Sequence, residues 1–302
     1  MTSVGSRPSA VMLVDKPAGC TSFDVVREVR RGARTKVGHA GTLDPFATGL
    51  LLVLAGQATR LSELLMNLPK EYVTEAQFGF VSSTQDSTGV LIDTESARVT
   101  SLQVNAALDQ FRGDIRQRVP LTSAVKVDGE PLYKRAHRGE TAERPVREVK
   151  VYDLSMTRFD QERQVATIVA RTGKGTYVRT IVHELGKALE TGAYAAALRR
   201  TRSGVFNVHD SRPPADIKRV WEAGGAGEGV LSVPQALSFL PRIEVSGKEA
   251  VRAKNGNELL TGPQGRFCVF GPDGLLAVYA RKPGAESDPA RPLVVFPEPE
   301  AR

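Results

Sequence analysis

The positions of apolar residues along the chain predict a mixture of strands and helices. Short apolar runs at Val11–Asp15, Val149–Leu154 and Val165–Ala170 are typical of buried strands. Tyr72–Phe80 alternates between apolar and polar residues, which is the pattern of a strand with one buried face. The apolar run Leu50–Leu54 is too short for its period to distinguish a strand from the start of a buried helix.

Helical spacing appears at three places. Thr21-Ser22 can cap the N-terminus of a helix that extends to about Arg31. Ser101–Phe111 has helical spacing, and Tyr177–Leu189 carries a clear apolar face. Together with the strands, these helices predict a mixed chain of α and β elements with antiparallel character.

Two changes in composition suggest boundaries. Residues 211–229 contain Pro213-Pro214 and a glycine-rich run at Gly224–Gly229, which is a loop composition. After Leu240 the chain changes to short β-like runs separated by turns. We therefore expect the first domain to end near this point.

The last part of the chain predicts a small β module. Phe267–Phe270 and Leu275–Tyr279 are joined by a Pro-Asp-Gly turn and predict a hairpin, and Leu293–Phe296 adds a strand. We predict a first domain at residues 1–240 and a compact all-β domain at residues 241–302.

The charge of the chain narrows the class of partner. Its 302 residues include 41 Lys and Arg against 34 Asp and Glu, which gives a formal net charge of +7. Residues 241–302 hold 9 basic and 8 acidic residues, so they contribute +1 and leave +6 for residues 1–240. This excess favours a polyanionic partner bound mainly by the first domain, and composition alone fits either nucleic acid or a membrane surface.

Other features of the composition indicate a cytoplasmic protein. No apolar run approaches the ~20 residues that cross a bilayer, and residues 1–10 are polar and lack the apolar core of a signal peptide. Cys20 and Cys268 lie far apart, and His183-Glu184 lacks the second histidine of a zinc-binding helix. We therefore expect no membrane association and no metal site.

The segment Gly38–Leu51 holds the strongest candidate for chemistry. Its carboxylate, Asp44, lies among Gly, Thr and Pro residues directly before an apolar run. Gly41 and Gly49 permit backbone angles that other residues resist, and Pro45 restricts both its own backbone and that of Asp44. An Asp in such a turn is, taken alone, more often a turn or cap residue. The constrained loop also suits a carboxylate that projects from a rigid support.

Four other segments accompany this one, in the order Val14–Ser22, Pro69–Tyr72, Ser123–Tyr133 and Gly173–Arg202. Together the five segments resemble the TruB family of tRNA pseudouridine synthases, and they occur in the family's order. The resemblance implies an α+β fold, the pseudouridine synthase fold, in which helices flank a mixed and largely antiparallel sheet. It also implies that the C-terminal all-β module is similar to a PUA domain, which would bind RNA.

The reaction implied by the resemblance is the isomerisation of uridine to pseudouridine, which needs no cofactor. In the family, the Asp matching Asp44 carries the chemistry and the Arg matching Arg179 pairs with it. The Tyr matching Tyr72 stacks on the uracil ring and is suited to remove the proton from C5. A cation beside Asp44 would offset the rise in pKa that burial causes. Without the resemblance, Tyr72 fits a half-buried aromatic residue and Arg179 a solvated residue in the first turn of a helix.

Substrate contacts are also implied by the resemblance. Residues about 117–147 match a mobile insertion that closes on the T-arm loop of tRNA. Other matches suggest support of the opened RNA loop, pocket lining, support of the site from behind and contact with phosphates. The residues assigned in this way to substrate binding are His39, Lys16, Tyr177, Leu198, Lys126, Arg199, Arg200 and Arg202.

The chain departs from the family pattern just before Lys126. The family usually has Gln-x-Pro-Pro followed by Tyr-Ser-Ala, whereas Gln117–Ser123 has a single Pro and no Tyr. We therefore expect the conformation of this loop and its RNA contacts to differ from those of relatives, with the Asp, Tyr and Arg set unaffected.

The leading hypothesis is isomerisation of uridine 55 in the T-arm of tRNA by a monomer without an obligatory protein partner. One alternative is a folding chaperone for tRNA in which catalysis is secondary or absent. Another is a guide-RNA-dependent modifier of ribosomal RNA, similar to archaeal and eukaryotic relatives. The presence of Asp44, Tyr72 and Arg179 together favours an enzyme.

Overall fold

The computed structural model of the chain describes residues 9–32, 35–284 and 288–300. The predicted absence of a signal peptide concerns residues 1–10, of which residues 1–8 lie outside this description. The helices in the described residues are α1 (Ser22–Gly32), α2 (Ser62–Met66), α3 (Ser101–Leu108), α4 (Leu132–His137), α5 (Val178–Ala188), α6 (Pro214–Glu222), α7 (Val233–Ala236) and α8 (Gly247–Lys254). Short 3-10 helices cover Gly56–Leu61, Asp109–Phe111 and Val208–Asp210.

The strands in the same residues are β1 (Ala10–Lys16), β2 (Val37–His39), β3 (Thr48–Ala55), β4 (Lys70–Phe78), β5 (Phe80–Ser82), β6 (Leu91–Asp93), β7 (Gly113–Arg118), β8 (Lys126–Val127), β9 (Glu130–Pro131), β10 (Val146–Asp160), β11 (Val165–Thr172), β12 (Ala193–Ser203), β13 (Phe206–Asn207), β14 (Val230–Ser232), β15 (Arg242–Glu244), β16 (Gly265–Gly271), β17 (Gly274–Arg281) and β18 (Arg291–Glu300). The ambiguous run Leu50–Leu54 is therefore part of a strand, because β3 crosses the middle of the sheet and is buried on both faces.

Ten of the described strands form one large sheet. Its main order is β14, β1, β3, β12, β4, β11, β10 and β7, with β2 paired to β3 and β13 paired to β12. The strand pair β12 and β3 is parallel, and the other strand pairs of this sheet are antiparallel. The predicted α+β fold with a mixed, largely antiparallel sheet is confirmed.

One face of this sheet packs against helices. In α5, the buried residues Ile181, Val182 and Leu185 lie in the main apolar core together with side chains from the sheet, such as Ala76 and Ile168. This packing fixes the first turn of α5 at the edge of the core, and the first turn carries Arg179. An apolar helix face thereby determines where a charged side chain lies.

The predicted loop at residues 211–229 is wrong in its middle. Pro214–Glu222 forms helix α6, which packs against α1. Pro214 occupies the first turn, where a missing N–H costs no helical hydrogen bond, so the Pro pair starts a helix instead of interrupting one. Ile217 and Trp221 of α6 are fully buried in the main core.

The C-terminal residues form a second sheet in the order β15, β16, β17 and β18. The predicted hairpin is present as β16 and β17, but the prediction of an all-β module missed helix α8. Cys268 and Phe270 of this sheet share one buried cluster with Val11 and Leu13 of β1. The two sheets therefore have a continuous apolar contact, and the domain boundary at residue 240 stays a prediction.

Candidate active site

Asp44 lies in the loop between β2 and β3, and this loop is held from several sides. The backbone N–H of Leu43 donates to Ser22 Oγ at 2.9 Å, and the Ser22 hydroxyl donates to the Leu43 carbonyl at 3.1 Å. At the other end of the loop, Gly49 has φ +100°, and a Cβ there would lie 2.3 Å from the carbonyl oxygen of Arg200. Only glycine fits this close approach, which fixes the loop against β12.

Lys16 supports the loop from behind. The residue is fully buried, and its ammonium group donates to the carbonyls of Pro17 at 2.8 Å, Cys20 at 2.8 Å and Pro45 at 3.3 Å. Burial lowers the pKa of Lys16. Its assignment to substrate binding is therefore corrected, because a lysine enclosed by backbone carbonyls supports the Asp44 loop and leaves no ammonium hydrogen free to reach RNA.

Arg200 has a similar buried position. It is 1% exposed, and its guanidinium donates to the carbonyls of Leu50 at 2.6 Å and Gly41 at 3.0 Å. These bonds show a structural role for Arg200, and its predicted phosphate contact stays a prediction. A guanidinium that satisfies the loop's own carbonyls fixes both ends of the Asp44 segment.

Asp44, in the loop between β2 and β3, forms an ion pair with Arg179 of α5. Arg179 Nε lies 3.0 Å from Asp44 Oδ2, and Nη2 donates to Asp44 Oδ1 at 3.3 Å. The Arg179 side chain is 1% exposed, whereas that of Asp44 is 23% exposed. The carboxylate therefore remains accessible while its cation is enclosed, and the structure brings these two predicted residues together.

A second carboxylate shares the same arginine. Asp86 Oδ2 lies 3.5 Å from Arg179 Nη1, and Asp86 Oδ1 accepts hydrogen bonds from the hydroxyls of Thr84 at 2.7 Å and Thr88 at 2.5 Å. The sequence reasoning missed Asp86. The local signal is the Thr-x-Asp-x-Thr pattern, which is typical of a turn in which the Asp side chain bonds to neighbouring residues. This pattern does not predict a contact with an arginine far along the chain.

The pKa of Asp44 is raised above its ordinary value. Burial is the largest cause, and the negative charge of Asp86 adds to it, while Arg179 and Lys16 act in the opposite direction. The expectation that Arg179 would cancel the effect of burial is therefore wrong in its net direction. Desolvation of the carboxyl outweighs one cation that is shared with a second carboxylate.

A cavity of about 880 Å³ opens beside Asp44. Tyr72, Tyr177 and Leu198 line it, and all three residues are buried or half-buried. The Arg179 guanidinium lies 5.7 Å from the centre of the Tyr177 ring. Pockets of about 300–1,000 Å³ with apolar walls and a few polar groups are typical of small-ligand sites, so the cavity suits an extruded base.

Gln117 fixes the position of Tyr177. The Tyr177 N–H donates to Gln117 Oε1 at 2.8 Å, and Gln117 Nε2 donates to the Tyr177 carbonyl at 3.0 Å. Burial is the largest cause of a raised pKa at the Tyr177 hydroxyl. These contacts connect the segment before Lys126 directly to the cavity wall.

Lys70 is a further cation at the cavity that the sequence reasoning did not select. Its ammonium group donates to the carbonyls of Met66 at 2.5 Å and Leu68 at 2.7 Å, near the end of α2. Burial, with the positive charges of Arg200 and Lys174, lowers the pKa of Lys70 to about 8. A lysine at this place stabilises the C-terminal carbonyls of a short helix.

Arg200 also lines the cavity, whereas four other predicted residues, His39, Lys126, Arg199 and Arg202, do not. His39 lies in β2 opposite Val53, and burial followed by the charge of Arg200 lowers its pKa. Lys126 is exposed in β8. Arg199 pairs with Asp15 at 2.7 Å, and Arg202 lies 3.9 Å from Glu71. Both arginines therefore have acidic neighbours in space, although none occurs beside them in the sequence.

The described ranges contain neither a candidate metal site nor a candidate membrane span. No group of three or more His, Cys, Asp or Glu side chains in residues 9–32, 35–284 and 288–300 is placed to hold a metal ion. Over the same ranges, no helix is long and apolar enough to cross a membrane.

Two protein-family models match the chain. Residues 29–178 match the N-terminal domain of the TruB family pseudouridylate synthases, and residues 179–230 match the C-terminal domain of tRNA pseudouridylate synthase B. The chain belongs to the TruB family. The border between the two matches falls in the first turn of α5, so it does not coincide with the border between the two sheets of this TruB-family chain.

Curated relatives support the same assignment. A protein from Opitutus terrae named tRNA pseudouridine synthase B is 45% identical over 203 residues, which cover 67% of this chain and 83% of the relative. A protein of the same name from Geobacillus thermodenitrificans is 36% identical over 302 residues, which cover 95% of this chain and 99% of the relative. The predicted membership of the TruB family is confirmed.

The fold is also found among solved structures. The crystal structure of a Cbf5–Nop10–Gar1 complex contains a chain that matches with a TM-score of 0.71 and 25% identity, covering 96% of this TruB-family chain and 84% of that chain. This similarity agrees with the pseudouridine synthase fold predicted from the sequence.

Proposed function

We propose that this chain converts uridine to pseudouridine at position 55, in the T-arm loop of tRNA, with Asp44 as the catalytic carboxylate. The relatives named tRNA pseudouridine synthase B support tRNA as the substrate. The observation that carries the catalytic assignment is the accessible carboxylate of Asp44 at the cavity, held by the enclosed Arg179.

The proposed reaction rearranges one nucleotide without an external reactant. The N1–C1′ bond breaks and a C5–C1′ bond forms, while C5 loses a proton and N1 gains one, so atoms and electrons balance. The target nucleotide must first leave its stack, which costs a few kcal/mol and is offset by contacts in a pocket. The apolar wall of the cavity, including Leu198, supplies such contacts.

Asp44 acts in its ionised form. An ionised carboxylate can attack the target nucleotide or accept a proton from the sugar, and both roles are lost on protonation. Arg179 favours the ionised form because it opposes the rise in pKa caused by burial. Arg179 is thus the partner that keeps Asp44 usable at neutral pH.

Tyr72 has the second role at the base. Its side chain is 9% exposed and lines the same cavity as Asp44. We propose that its ring stacks on the uracil and that its hydroxyl relays a proton after rotation of the base: the oxygen takes the C5 proton as the hydroxyl releases its own, which balances the proton gained at N1. A Tyr72→Phe variant keeps the ring and removes the acceptor, so it separates these two roles.

Release of tritium from C5-labelled uridine in tRNA, combined with mapping of pseudouridine, tests the proposal. Asp44→Asn should abolish both signals and keep tRNA affinity within about twofold, because the side-chain shape is unchanged. Asp216→Asn is a matched control, since Asp216 is also paired with an arginine but lies on the surface of α6. Activity of Asp44→Asn close to wild type would contradict the assignment of Asp44.

The same assay separates the alternatives considered from the sequence. We propose that the chain acts in the cytoplasm as a monomer, with no cofactor, no guide RNA and no obligatory protein partner. The purified chain should then modify an isolated T-arm stem-loop. If conversion required an added guide or partner, a guide-dependent modifier would be the better description, and if tRNA folded faster without any conversion, a chaperone would be.

A further inference from the structure

The guanidinium of Arg179 is held by three separate segments. The Asp44 loop contributes the carboxylate, the turn before β6 contributes the carbonyl of Thr84 at 2.8 Å, and the segment between β7 and β8 contributes Thr122. Because Arg179 is 1% exposed, water cannot replace a missing acceptor. The N–H groups of Nη1 and Nη2 therefore take their acceptors from the protein.

Thr122 makes two of these contacts. Arg179 Nη1 donates to the Thr122 hydroxyl at 2.5 Å, and Nη2 donates to the Thr122 carbonyl at 2.9 Å. The same Nη2 group also donates to Asp44, and Nη1 lies near Asp86. Thr122 thus accepts hydrogen bonds from both terminal nitrogens of the guanidinium, Nη1 and Nη2. These bonds limit rotation of the guanidinium between the carboxylates of Asp44 and Asp86.

This contact lies in the segment just before Lys126, whose conformation and RNA contacts were expected to differ from those of relatives. Thr122 lies in the segment Gln117–Ser123, and its short hydroxyl reaches the arginine directly. The structure brings Asp44, Tyr72 and Arg179 together, and Thr122 contacts this set through Arg179.

The surrounding segment is firmly attached. The N–H of Tyr133 donates to the Ser123 carbonyl at 3.0 Å, and the N–H of Leu132 donates to the Val125 carbonyl at 2.8 Å. Val125 and Ala124 line the cavity. One short segment therefore lines the cavity, is bonded to α4 of the insertion and holds the arginine.

We propose that Thr122 is a positioning residue that fixes the Arg179 guanidinium against Asp44, and that its hydroxyl is the group responsible. The inference rests on the proposed role of Asp44. Thr122 need not touch the substrate, because it acts through the geometry of the ion pair. The ionisable groups that face Asp44 are Arg179, Asp86, Lys16 and Tyr177.

A pair of variants tests the proposal. Thr122→Val removes the hydroxyl at nearly constant volume, and Thr122→Ser keeps the hydroxyl and removes only a methyl group. Single-turnover formation of pseudouridine on a T-arm stem-loop is measured from pH 5 to pH 8.5, and affinity for the same RNA is measured separately. Folding is monitored by thermal unfolding, and Thr122→Ala replaces the Val variant should that protein fail to fold, since Thr122 is only half-buried.

The expected result is a change in chemistry without a change in binding. Thr122→Val should lower the maximal rate about tenfold, as expected for one lost hydrogen bond to a charged group. It should also move the acidic limb of the rate profile to higher pH, because a loosely held Arg179 opposes protonation of Asp44 less well. Thr122→Ser should match wild type in both respects, with RNA affinity within about twofold for all three proteins.

Two outcomes overturn the inference. One is an active wild type with a Val or Ala variant that has the same rate and the same acidic limb. The other is a fall in rate in Thr122→Val that Thr122→Ser shares fully, which would indicate packing by the methyl group. A wild type that forms no pseudouridine on the T-arm would instead overturn the proposed function, so the two failures are distinguishable.

Discussion

Arg179 and Arg200 differ from Arg199 and Arg202 in a way that the sequence does not reveal. The first two are 1% exposed and bonded to carboxylates or carbonyls of the site. The side chains of Arg199 and Arg202 are 42% and 58% exposed. Burial therefore divides these four arginines into a framework pair, Arg179 and Arg200, and a surface pair, Arg199 and Arg202. The surface pair has the more exposed donors.

Breaking the framework at Arg179 should have the largest effect. Arg179→Met leaves Asp44 and Asp86 without their shared cation, and losing one partner of a buried ion pair costs roughly 3–5 kcal/mol. The pKa of Asp44 should rise further, so pseudouridine formation at pH 7 should fall by at least about a hundredfold. Tritium release under single-turnover conditions measures this fall, and a loss of less than tenfold would place Arg179 outside the catalytic machinery.

Arg200→Met should have the next largest effect, mostly on stability. The variant leaves the carbonyls of Leu50 and Gly41 without a donor, and the expected loss in the free energy of unfolding is about 2–4 kcal/mol. Urea unfolding measures it. Arg199→Gln is the matched control on the same strand and should change stability by less than about 1 kcal/mol. Equal destabilisation by both variants would remove the distinction between framework and surface.

The dependence of activity on pH should report on the charges that surround Asp44. Activity should rise with pH through the pKa of Asp44, which burial places above the ordinary value of 3.8. Because Asp86 contributes to that rise, Asp86→Asn should move the acidic limb to lower pH. A raised folded-state pKa also means that the contribution of Asp44 to stability is present below 3.8 and is lost as pH rises through the folded-state pKa. An acidic limb that stays in place in Asp86→Asn would contradict this account.

Variants of the surface pair should have the smallest effects. Arg199→Gln and Arg202→Gln should each weaken tRNA binding a few-fold and leave the single-turnover rate at saturation unchanged. If each contacts a phosphate, the slope of log affinity against log salt should decrease by about one per variant. Filter binding at several salt concentrations measures the slope, and an unchanged slope would show that these arginines serve only Asp15 and Glu71.

The sequence predicted the elements that carry the site better than the contacts between them. The apolar face of Tyr177–Leu189 was sufficient to find α5, and the five matching segments singled out Asp44, Tyr72 and Arg179. The roles of these residues stay predictions, whereas their meeting at one site is a property of the structure. Periodicity and motif order are local or ordered along the chain, so they can be read without coordinates.

What the sequence could not predict depends on three-dimensional neighbours. Lys and Arg side chains are usually exposed, so the sequence gives no reason to expect Lys16 and Arg200 to be buried. Their burial is explained by the carbonyls of the Asp44 loop and its neighbours, which accept their hydrogen bonds. Asp86 reaches Arg179 from a turn that is distant in sequence. The pair Pro213-Pro214 is typical of a loop, so the sequence predicted no helix there. The helix α6 is explained by its packing against α1 and by the burial of Trp221, which are visible only in three dimensions.

The buried cluster that joins the two sheets has a consequence for synthesis of the chain. Val11 and Leu13 leave the ribosome long before Phe270 and Phe296, which share their cluster. The nascent chain must therefore carry an uncovered apolar surface through most of its translation. We expect interrupted translation products of this protein to depend on chaperones more strongly than a catalytic domain with a self-contained core would.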